Sequence, residues 1–381
     1  MATAAAASPP GTQTRPLAAT TLTARGLTPG KLRGLQRISN ANGTLTMLAL
    51  DQNSSMIEMA RKALEAAGER RDPTYDEIVE AKLDLMRQMA PVASGVLIDG
   101  YYGAWAAVAT GAVAPEKGLL VRLEKSGAAK NAAGVPLVQV EPGWSVEKIK
   151  LMGADAVKLL APFEPTERES AEYQLAVVEQ VAEECRRYDI LFLLEPVAVP
   201  LGGEKRTDAS FLERRAATTI ESARLLSRHC DVFKAEFPGT LDHDSDEQLH
   251  DNLQALSAAC DRPWVLLSAG VDYAQYLRQV EMAMEAGASG VLGGRAFWKE
   301  YFQQKSAEAR TEFASTEGRR RVAEVDAIVR QRALPWFERY GLSAEDLAAI
   351  RPAEGWLFRY SPAAKAAAGS SGHAVRPGET Y

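Results

Sequence analysis

Residues 231–238 read D-V-F-K-A-E-F-P. Val232, Phe233, Ala235 and Phe237 make an apolar run of the length of a buried strand, with Lys234 and Glu236 set inside it. Lys and Glu are almost never fully buried without a partner, and a lone charge there costs several kcal/mol. Lys234 therefore reads either as an ion-pair strut or as a functional amine. Burial lowers a lysine pKa, and a lowered pKa makes the amine a nucleophile.

Outward from this stretch the same grammar repeats. Strand-like runs are expected at residues 45–50, 95–98, 118–123, 155–160, 190–194, 232–236, 264–268 and 289–293. Between most of them the apolar spacing switches to a helical period, at 56–67, 75–89, 146–152, 166–188, 211–229, 246–259 and 273–286. Strands alternating with helices predict βαβ units and a parallel sheet. Eight such units predict a closed (β/α)₈ TIM barrel, an α/β fold in one domain. The third unit is the least regular: residues 103–117 and 124–145 show no clean 3.6 period, and they leave a doubly wound open sheet as the alternative.

The flanks differ in composition. Residues 1–26 are rich in Ala, Thr and Pro and are expected to be a disordered leader, with folded structure beginning near Leu27. The barrel with a C-terminal helical extension is expected over 27–348, and a mostly disordered tail over 349–381. The first fifty residues lack Asp and Glu but carry Arg15, Arg25, Lys31, Arg33 and Arg37, as organellar transit peptides do. Serine is scarce there, so a leader without targeting meaning is preferred, and a cytoplasmic location is expected.

Bulk properties exclude several classes. Of 381 residues 46% are hydrophobic, ample for a large core, and the net charge of -6 is spread along the chain. No nucleic-acid partner is expected, and no apolar run reaches the ~18 residues that span a bilayer. Cys185, Cys230 and Cys260 have no C-x-x-C spacing and read as core residues. The four histidines (His229, His243, His250, His373) form no i, i+4 pair and no H-E-x-x-H motif. Oligomeric state is left open.

In a (β/α)₈ barrel the active site lies at the C-terminal ends of the strands. Those ends carry Asp51 and Gln52, Asp99, Lys158, Glu195, Lys234 and Glu236, Ser268 and Gly270, and Gly293, Gly294 and Arg295. Lys158 and Lys234 fall on even strands and are expected to share a layer, where two ammonium groups repel and one loses its proton more readily. Asp51 and Glu195, on odd strands, would share the next layer. The alternative is a pair of buried Lys–carboxylate struts without chemistry. Ser268, Gly270, Gly293, Gly294 and Arg295 suggest an anion site, because glycines admit backbone N–H groups and Arg gives bidentate contact.

L-A-L-D-Q (48–52), G-A-D-A-V-K-L-L (153–160), F-L-L-E-P (192–196), D-V-F-K-A-E-F-P (231–238), L-S-A-G-V (267–271) and G-V-L-G-G-R-A-F-W (290–298) together resemble the class I tagatose 1,6-bisphosphate aldolase family, to which the sulfofructose-phosphate aldolases are close relatives. The resemblance runs from about Leu32 to about Lys299, with the motifs in the family's order. It implies Lys234 as the Schiff-base lysine, Lys158 as the second active-site lysine, Glu195 as the acid/base carboxylate and Asp51 as the group that handles substrate hydroxyls. Gln52 follows the family's Asp-Gln pair, and Ser268, Gly294 and Arg295 match its phosphate-binding positions. The family's Asp-Gln-Arg is Asp51-Gln52-Asn53 here, and G-G-E-K-R (202–206) matches neither branch. Both departures bear on the far end of the sugar. The implied reaction is cleavage of D-tagatose 1,6-bisphosphate, a phosphorylated ketose, to dihydroxyacetone phosphate and glyceraldehyde 3-phosphate, with no metal or other cofactor, in keeping with the absent histidine cluster. Three alternatives are weighed: cleavage of 6-deoxy-6-sulfofructose 1-phosphate, a regulator that binds sugar phosphate without turnover, and a metal-dependent enzyme using Asp51, Asp99, Glu195 and Glu236. Glu236 is read equally as an acid/base helper and as a strut to a lysine.

Overall fold

The computed structural model describes residues 19–351 together with Trp356 and Tyr360. Residues 1–18 of the expected leader, and the expected tail beyond 351 apart from those two residues, lie outside the described residues. Eight parallel strands, β1 (Leu45–Leu50), β2 (Gly95–Asp99), β3 (Gly118–Arg122), β4 (Ala156–Pro162), β5 (Leu191–Val197), β6 (Val232–Ala235), β7 (Trp264–Leu267) and β8 (Gly290–Gly293), close into one barrel in sequence order. The last strand pairs with the first through Leu45 and Gly290. The open-sheet alternative is thereby excluded.

Alternation sorts every strand into two faces. Leu45, Met47, Ala49, Leu97, Leu120, Ala156, Leu191, Leu193, Val232, Val265 and Leu292 form one cluster inside the barrel. Their neighbours in sequence, among them Leu48, Leu50, Val96, Val121, Val157, Phe192, Leu194, Phe233 and Val291, face outward and pack against the helices.

The surrounding helices are α1 (Ala19–Ala24), α2 (Pro29–Ile38), α3 (Ser54–Ala66), α4 (Tyr75–Met89), α5 (Ala104–Thr110), α6 (Val146–Leu151), α7 (Arg168–Arg187), α8 (Ala209–Leu226), α9 (Asp246–Ala259), α10 (Tyr273–Glu285) and the one-turn α11 (Arg295–Trp298). They are followed by α12 (Ala307–Phe313), α13 (Arg319–Arg332), α14 (Trp336–Arg339) and α15 (Ala344–Ala348). Capping boxes at Thr74/Glu77 and Ser245/Gln248 start α4 and α9 by satisfying N–H groups that the first turn leaves open. Among the described residues no helix is long and apolar enough to cross a membrane. Cys185, Cys230 and Cys260 are free and buried.

One region departs from expectation, and a second, expected to be irregular, takes a definite form. Ordered structure begins earlier than Leu27: α1 lies within the stretch expected to be disordered. Leu22 is buried with Leu27, Leu35, Trp336 and Phe337, and Arg25 donates to the carbonyls of Tyr340 and Gly341, so the segment around α1 packs against the segment around α14. The second is the third unit. It has only the short α5 before β3, and residues 124–145 form no helix. They fold into an excursion stitched by the antiparallel bridges Glu124–Val140 and Lys130–Pro136.

The N-terminal mouth of the barrel is plugged by α2. Lys31, buried on that helix, donates to both carboxylate oxygens of Asp231 at 2.9 and 2.8 Å, and Tyr340 donates to the Asp231 carbonyl. This clamp fixes the residue that enters β6, three positions before Lys234.

Candidate active site

At the C-terminal end the interior alternation continues, but the side chains change character. After Leu120 come Arg122 and Glu124, after Ala156 comes Lys158, after Leu193 comes Glu195, and after Val232 comes Lys234. All five are nearly inaccessible to solvent. Buried charge on this scale persists only when it is mutually compensated.

The compensation is specific. Lys158 Nζ donates to Glu124 Oε1 at 2.7 Å and to Asp51 Oδ2 at 2.9 Å, and lies 3.0 Å from Glu195 Oε2. The other oxygen of Glu195 lies 3.0 Å from Lys234 Nζ. Glu195 thus bridges the two amines. Burial alone would push the Lys158 pKa down, but Asp51, Glu124 and Glu195 outweigh it and raise the value well above the usual lysine range. Burial likewise opposes ionisation of Asp51, yet Lys158, Lys234 and Arg122 hold its carboxyl well below the usual range. Glu124 goes the other way, pushed up by burial despite Lys158 and Arg122. The expectation that two facing ammonium groups activate one another is therefore corrected: a carboxylate separates them, and Lys158 is held protonated.

A cavity of about 560 Å³ opens above this network. Asp51, Gln52, Arg122, Glu124, Lys158, Glu195 and Arg295 line it, together with the first turn of α3 and residues of the β3 excursion. Lys234 does not line it directly; its amine is 3.0 Å from Glu195, which does. Asp51 Oδ1, Gln52 Oε1 and Glu124 Oε2 are buried acceptors without a hydrogen-bond partner among the described residues. An orphaned acceptor costs roughly 1–3 kcal/mol, so three of them on one cavity wall suit a ligand rich in hydroxyl donors.

The β7 and β8 loops form one rim. Ser268 Oγ accepts from the Gly294 amide at 3.1 Å. Gly270 has φ +79°, a left-handed conformation that favours glycine, and a Cβ there would sit 3.0 Å from the Arg295 guanidinium carbon. A Cβ on Gly294 would meet Gln52 Nε2 at 3.0 Å and the Ala49 carbonyl at 3.1 Å. Burial lowers the Arg295 pKa, with Glu195 and Asp51 opposing. Arg295 and Gln52 reach the cavity; Ser268, Gly270, Gly293 and Gly294 shape the turn behind them.

Two sequence-predicted residues face elsewhere. Asp99 is fully buried, paired with Lys82 of α4, and it accepts from Asn53 and from the amides of Tyr101 and Tyr102. Its carboxylate is committed to that cluster, so Asp99 is corrected from a substrate contact to a structural residue. Asn53 is drawn into the same cluster by accepting from Lys82 Nζ at 2.9 Å. Glu236 accepts from the Ala198 amide at 2.6 Å and lies 3.6 to 3.7 Å from Arg215 and Arg206, so it anchors the loop after β5, through arginines and not through a lysine. The four carboxylates of the metal-dependent alternative therefore do not converge. Those that do, Asp51, Glu124 and Glu195, meet on an ammonium group.

Arg122 and Glu124 were missed by the sequence reading. The Arg122 guanidinium donates to the Asp51 carbonyl at 2.6 Å and fixes the end of β1. The signal was the V-R-L-E alternation at the end of β3, which repeats the apolar-then-charged pattern of the other strands.

The family described as "DeoC/LacD family aldolase" matches residues 45–300. Tagatose 1,6-diphosphate aldolase of Listeria monocytogenes serotype 4a (strain HCC23) is 31% identical, over 84% of this chain and 97% of the relative. The enzyme of that name from Streptococcus agalactiae serotype V (strain ATCC BAA-611 / 2603 V/R) is 32% identical, over 82% of this chain and 100% of the relative. Among solved structures, fructose-bisphosphate aldolase from Plasmodium falciparum superposes with a TM-score of 0.60 at 12% identity, covering 84% of this chain and 97% of that one, a likeness of fold.

Proposed function

The chain belongs to the DeoC/LacD aldolase family and is a carbon–carbon lyase, and from that premise we propose that it works through a Schiff base on Lys234, cleaving D-tagatose 1,6-bisphosphate to dihydroxyacetone phosphate and glyceraldehyde 3-phosphate. The observation that carries the choice of lysine is the unequal pairing of the two amines. Lys158 pairs with three carboxylates and is held protonated; among the described residues Lys234 makes a direct ion pair with Glu195, and Asp51 acts on it from further off. A nucleophilic amine must be able to give up its proton, and Glu195 at 3.0 Å is within reach to take it.

In this reading Lys234 Nζ adds to the C2 ketone as its proton passes to Glu195. Loss of the C2 oxygen as water leaves a protonated imine. A carboxylate at Asp51 accepts the proton of the C4 hydroxyl, the C3–C4 bond breaks, and its electron pair moves into the imine to give an enamine. Glyceraldehyde 3-phosphate departs. Protonation at C3 and hydrolysis release dihydroxyacetone phosphate and return the amine. Lys158 keeps Asp51 ionised and so available as the acceptor. The orphaned oxygens of Asp51, Gln52 and Glu124 suit the hydroxyls of an open-chain ketose, and Arg295 with the Ser268–Gly270 and Gly293–Gly294 turns suits the C1 phosphate, which positions C2.

The test is a coupled assay of triose phosphate release from D-tagatose 1,6-bisphosphate and from 6-deoxy-6-sulfofructose 1-phosphate. The bisphosphate is expected to be cleaved with the higher kcat/KM, and the rate is expected to be indifferent to EDTA because an ammonium group already sits where the carboxylates meet. Turnover of the sulfonate alone would contradict the substrate assignment.

A further inference from the structure

Between the end of β1 and the start of α3 lie only Asp51, Gln52 and Asn53. This short loop carries the acceptor assigned to the C4 hydroxyl, and one buried amine holds it at both ends. Lys82 lies on the buried face of α4, among Ile78, Leu85, Met86 and Met89, and is wholly inaccessible to solvent. Its Nζ donates to the Leu50 carbonyl at 2.9 Å, just before the loop, to Asn53 Oδ1 at 2.9 Å, at the loop's far end, and to Asp99 Oδ1. Burial lowers the Lys82 pKa, with Asp99 and Asp51 opposing. Three acceptors at once nevertheless require the ammonium form, because a neutral amine has only two hydrogens to give.

The surrounding contacts make this grip rigid. Asp99, at the end of β2, accepts through its other oxygen from the Tyr101 and Tyr102 amides at 3.0 and 2.7 Å and from Asn53 Nδ2 at 3.3 Å. Lys82, Asp99 and Asn53 thus close a triangle, and the Asn53 side chain is held at both of its polar atoms. Arg122 adds a further hold, on the Asp51 carbonyl. Asp51 Oδ2 accepts from Lys158, which leaves Oδ1 without a partner among the described residues, and its aim depends on where the backbone at 51 stands. A buried ion pair is weak evidence for stability, since well-packed apolar side chains of the same volume often do as well or better. The residues that α4 buries around Lys82 are apolar. An ammonium in their midst, with two of its three hydrogens on atoms that bracket Asp51 and Gln52, therefore calls for a reason other than packing.

We propose that Lys82 is a positioning residue for carbon–carbon bond cleavage: by gripping Leu50 and Asn53 it sets the backbone of Asp51 and Gln52 so that Asp51 Oδ1 meets the C4 hydroxyl of the ketose. The proposal rests on the aldolase reading above and adds a residue that does not line the cavity and acts through the loop that does. It makes two stages of the reaction separable. Imine formation uses Lys234 and Glu195, on β6 and β5, whereas cleavage also needs the proton acceptor on the loop after β1. Loosening that loop slows the second stage and spares the first.

The experiment compares the unaltered protein with the double variant Lys82→Met/Asp99→Asn. This pair of changes removes both charges together at nearly constant volume and leaves residue 99 an oxygen for the Tyr101 and Tyr102 amides; circular dichroism and a thermal melt check the fold. On D-tagatose 1,6-bisphosphate kcat is expected to fall at least about tenfold with KM within about twofold, as for a displaced reacting group. Borohydride trapping with dihydroxyacetone phosphate, a three-carbon compound without the C4 hydroxyl, is expected to stay within about twofold of the unaltered protein. Trapping and kcat that fall together would overturn the proposal, because a general structural defect does that, and so would an unchanged kcat. Should the double variant fail to fold, Asn53→Ala decides on the same two readouts, since it removes one hold and keeps the Lys82–Asp99 pair. Its kcat is expected to fall at least about threefold with trapping unchanged, and an unchanged kcat would overturn the proposal. Trapping by the unaltered protein separates the two levels. If it traps and the variants cleave normally, the Lys82 role alone is overturned; if it fails to trap, the aldolase reading falls and the Lys82 role with it.

Discussion

The lower and upper halves of the barrel interior are made by the same strands in the same alternation, and they do opposite things. Below, Leu45, Met47, Leu97, Leu120, Ala156, Leu191, Leu193, Val232, Val265 and Leu292 fill the lumen with aliphatic side chains, and α2 closes the mouth. One step further along four of those strands, the inward positions become Arg122, Lys158, Glu195 and Lys234, every one buried. A layer of ionised groups is expensive to bury. The fold tolerates it because the layers beneath supply packing that does not depend on charge. The difference teaches that stability and chemistry are stacked along one axis, which makes them separable by mutation.

The largest separation is expected at Lys234. Lys234→Ala should abolish turnover while leaving the thermal midpoint close to the unaltered value, since Glu195 keeps its second partner, Lys158, at 3.0 Å. Steady-state kinetics beside a thermal melt checks both halves of that statement, and appreciable residual turnover would mean that another amine forms the imine.

Lys158→Met tests whether the upper layer contributes to folding as well as to chemistry. Removing the ammonium leaves Asp51, Glu124 and Glu195 facing one another, and breaking a buried pair in this way costs about 3–5 kcal/mol. Urea unfolding is expected to show a loss of that size, with the remaining folded protein nearly inactive. Near-normal stability would mean that the carboxylates take up protons at little cost. The same logic gives a pH signature. Asp51 has a depressed folded pKa, so its stabilising contribution is fully present above about pH 4, the ordinary aspartate value, and is lost as the pH falls through the depressed value. Acid unfolding of the unaltered protein is therefore expected below about pH 4.

Leu193→Ala should be the mildest change for function. It opens space one inward position below Glu195 and costs about 2–5 kcal/mol of stability, yet kcat per folded molecule should stay within about twofold. A drop in kcat comparable to that of Lys158→Met would show that the two halves are coupled through the position of Glu195.

The sequence carried most of this arrangement because a buried parallel strand announces itself as an unbroken apolar run, and a charge at its end is conspicuous. Asp51, Lys158, Glu195 and Lys234 were legible for that reason, and they do meet. Asp99 satisfied the same criterion and does not join them. Its destination was decided by Lys82, a lysine on the buried face of α4 that needs a counter-charge, and helical spacing alone does not reveal such a partner. Arg122 and Glu124 were overlooked although the strand was placed to within a residue, because Arg122 falls inside the apolar run and Glu124 opens the irregular segment after it. That segment, without a helical period, is a braced excursion whose lysines face the cavity. The order of α1 was hidden because its one buried leucine, Leu22, finds its partners more than 300 positions away, in Trp336 and Phe337. Periodicity reports on local structure, and these were decisions made at long range.

The most direct measurement is borohydride reduction in the presence of dihydroxyacetone phosphate followed by peptide mass mapping. Reduction converts an imine into a stable secondary amine at the residue that formed it. The account predicts a single adduct on the peptide containing Lys234, lost in Lys234→Ala. An adduct on Lys158 would contradict it, because that amine would then have given up its proton in the presence of three carboxylates.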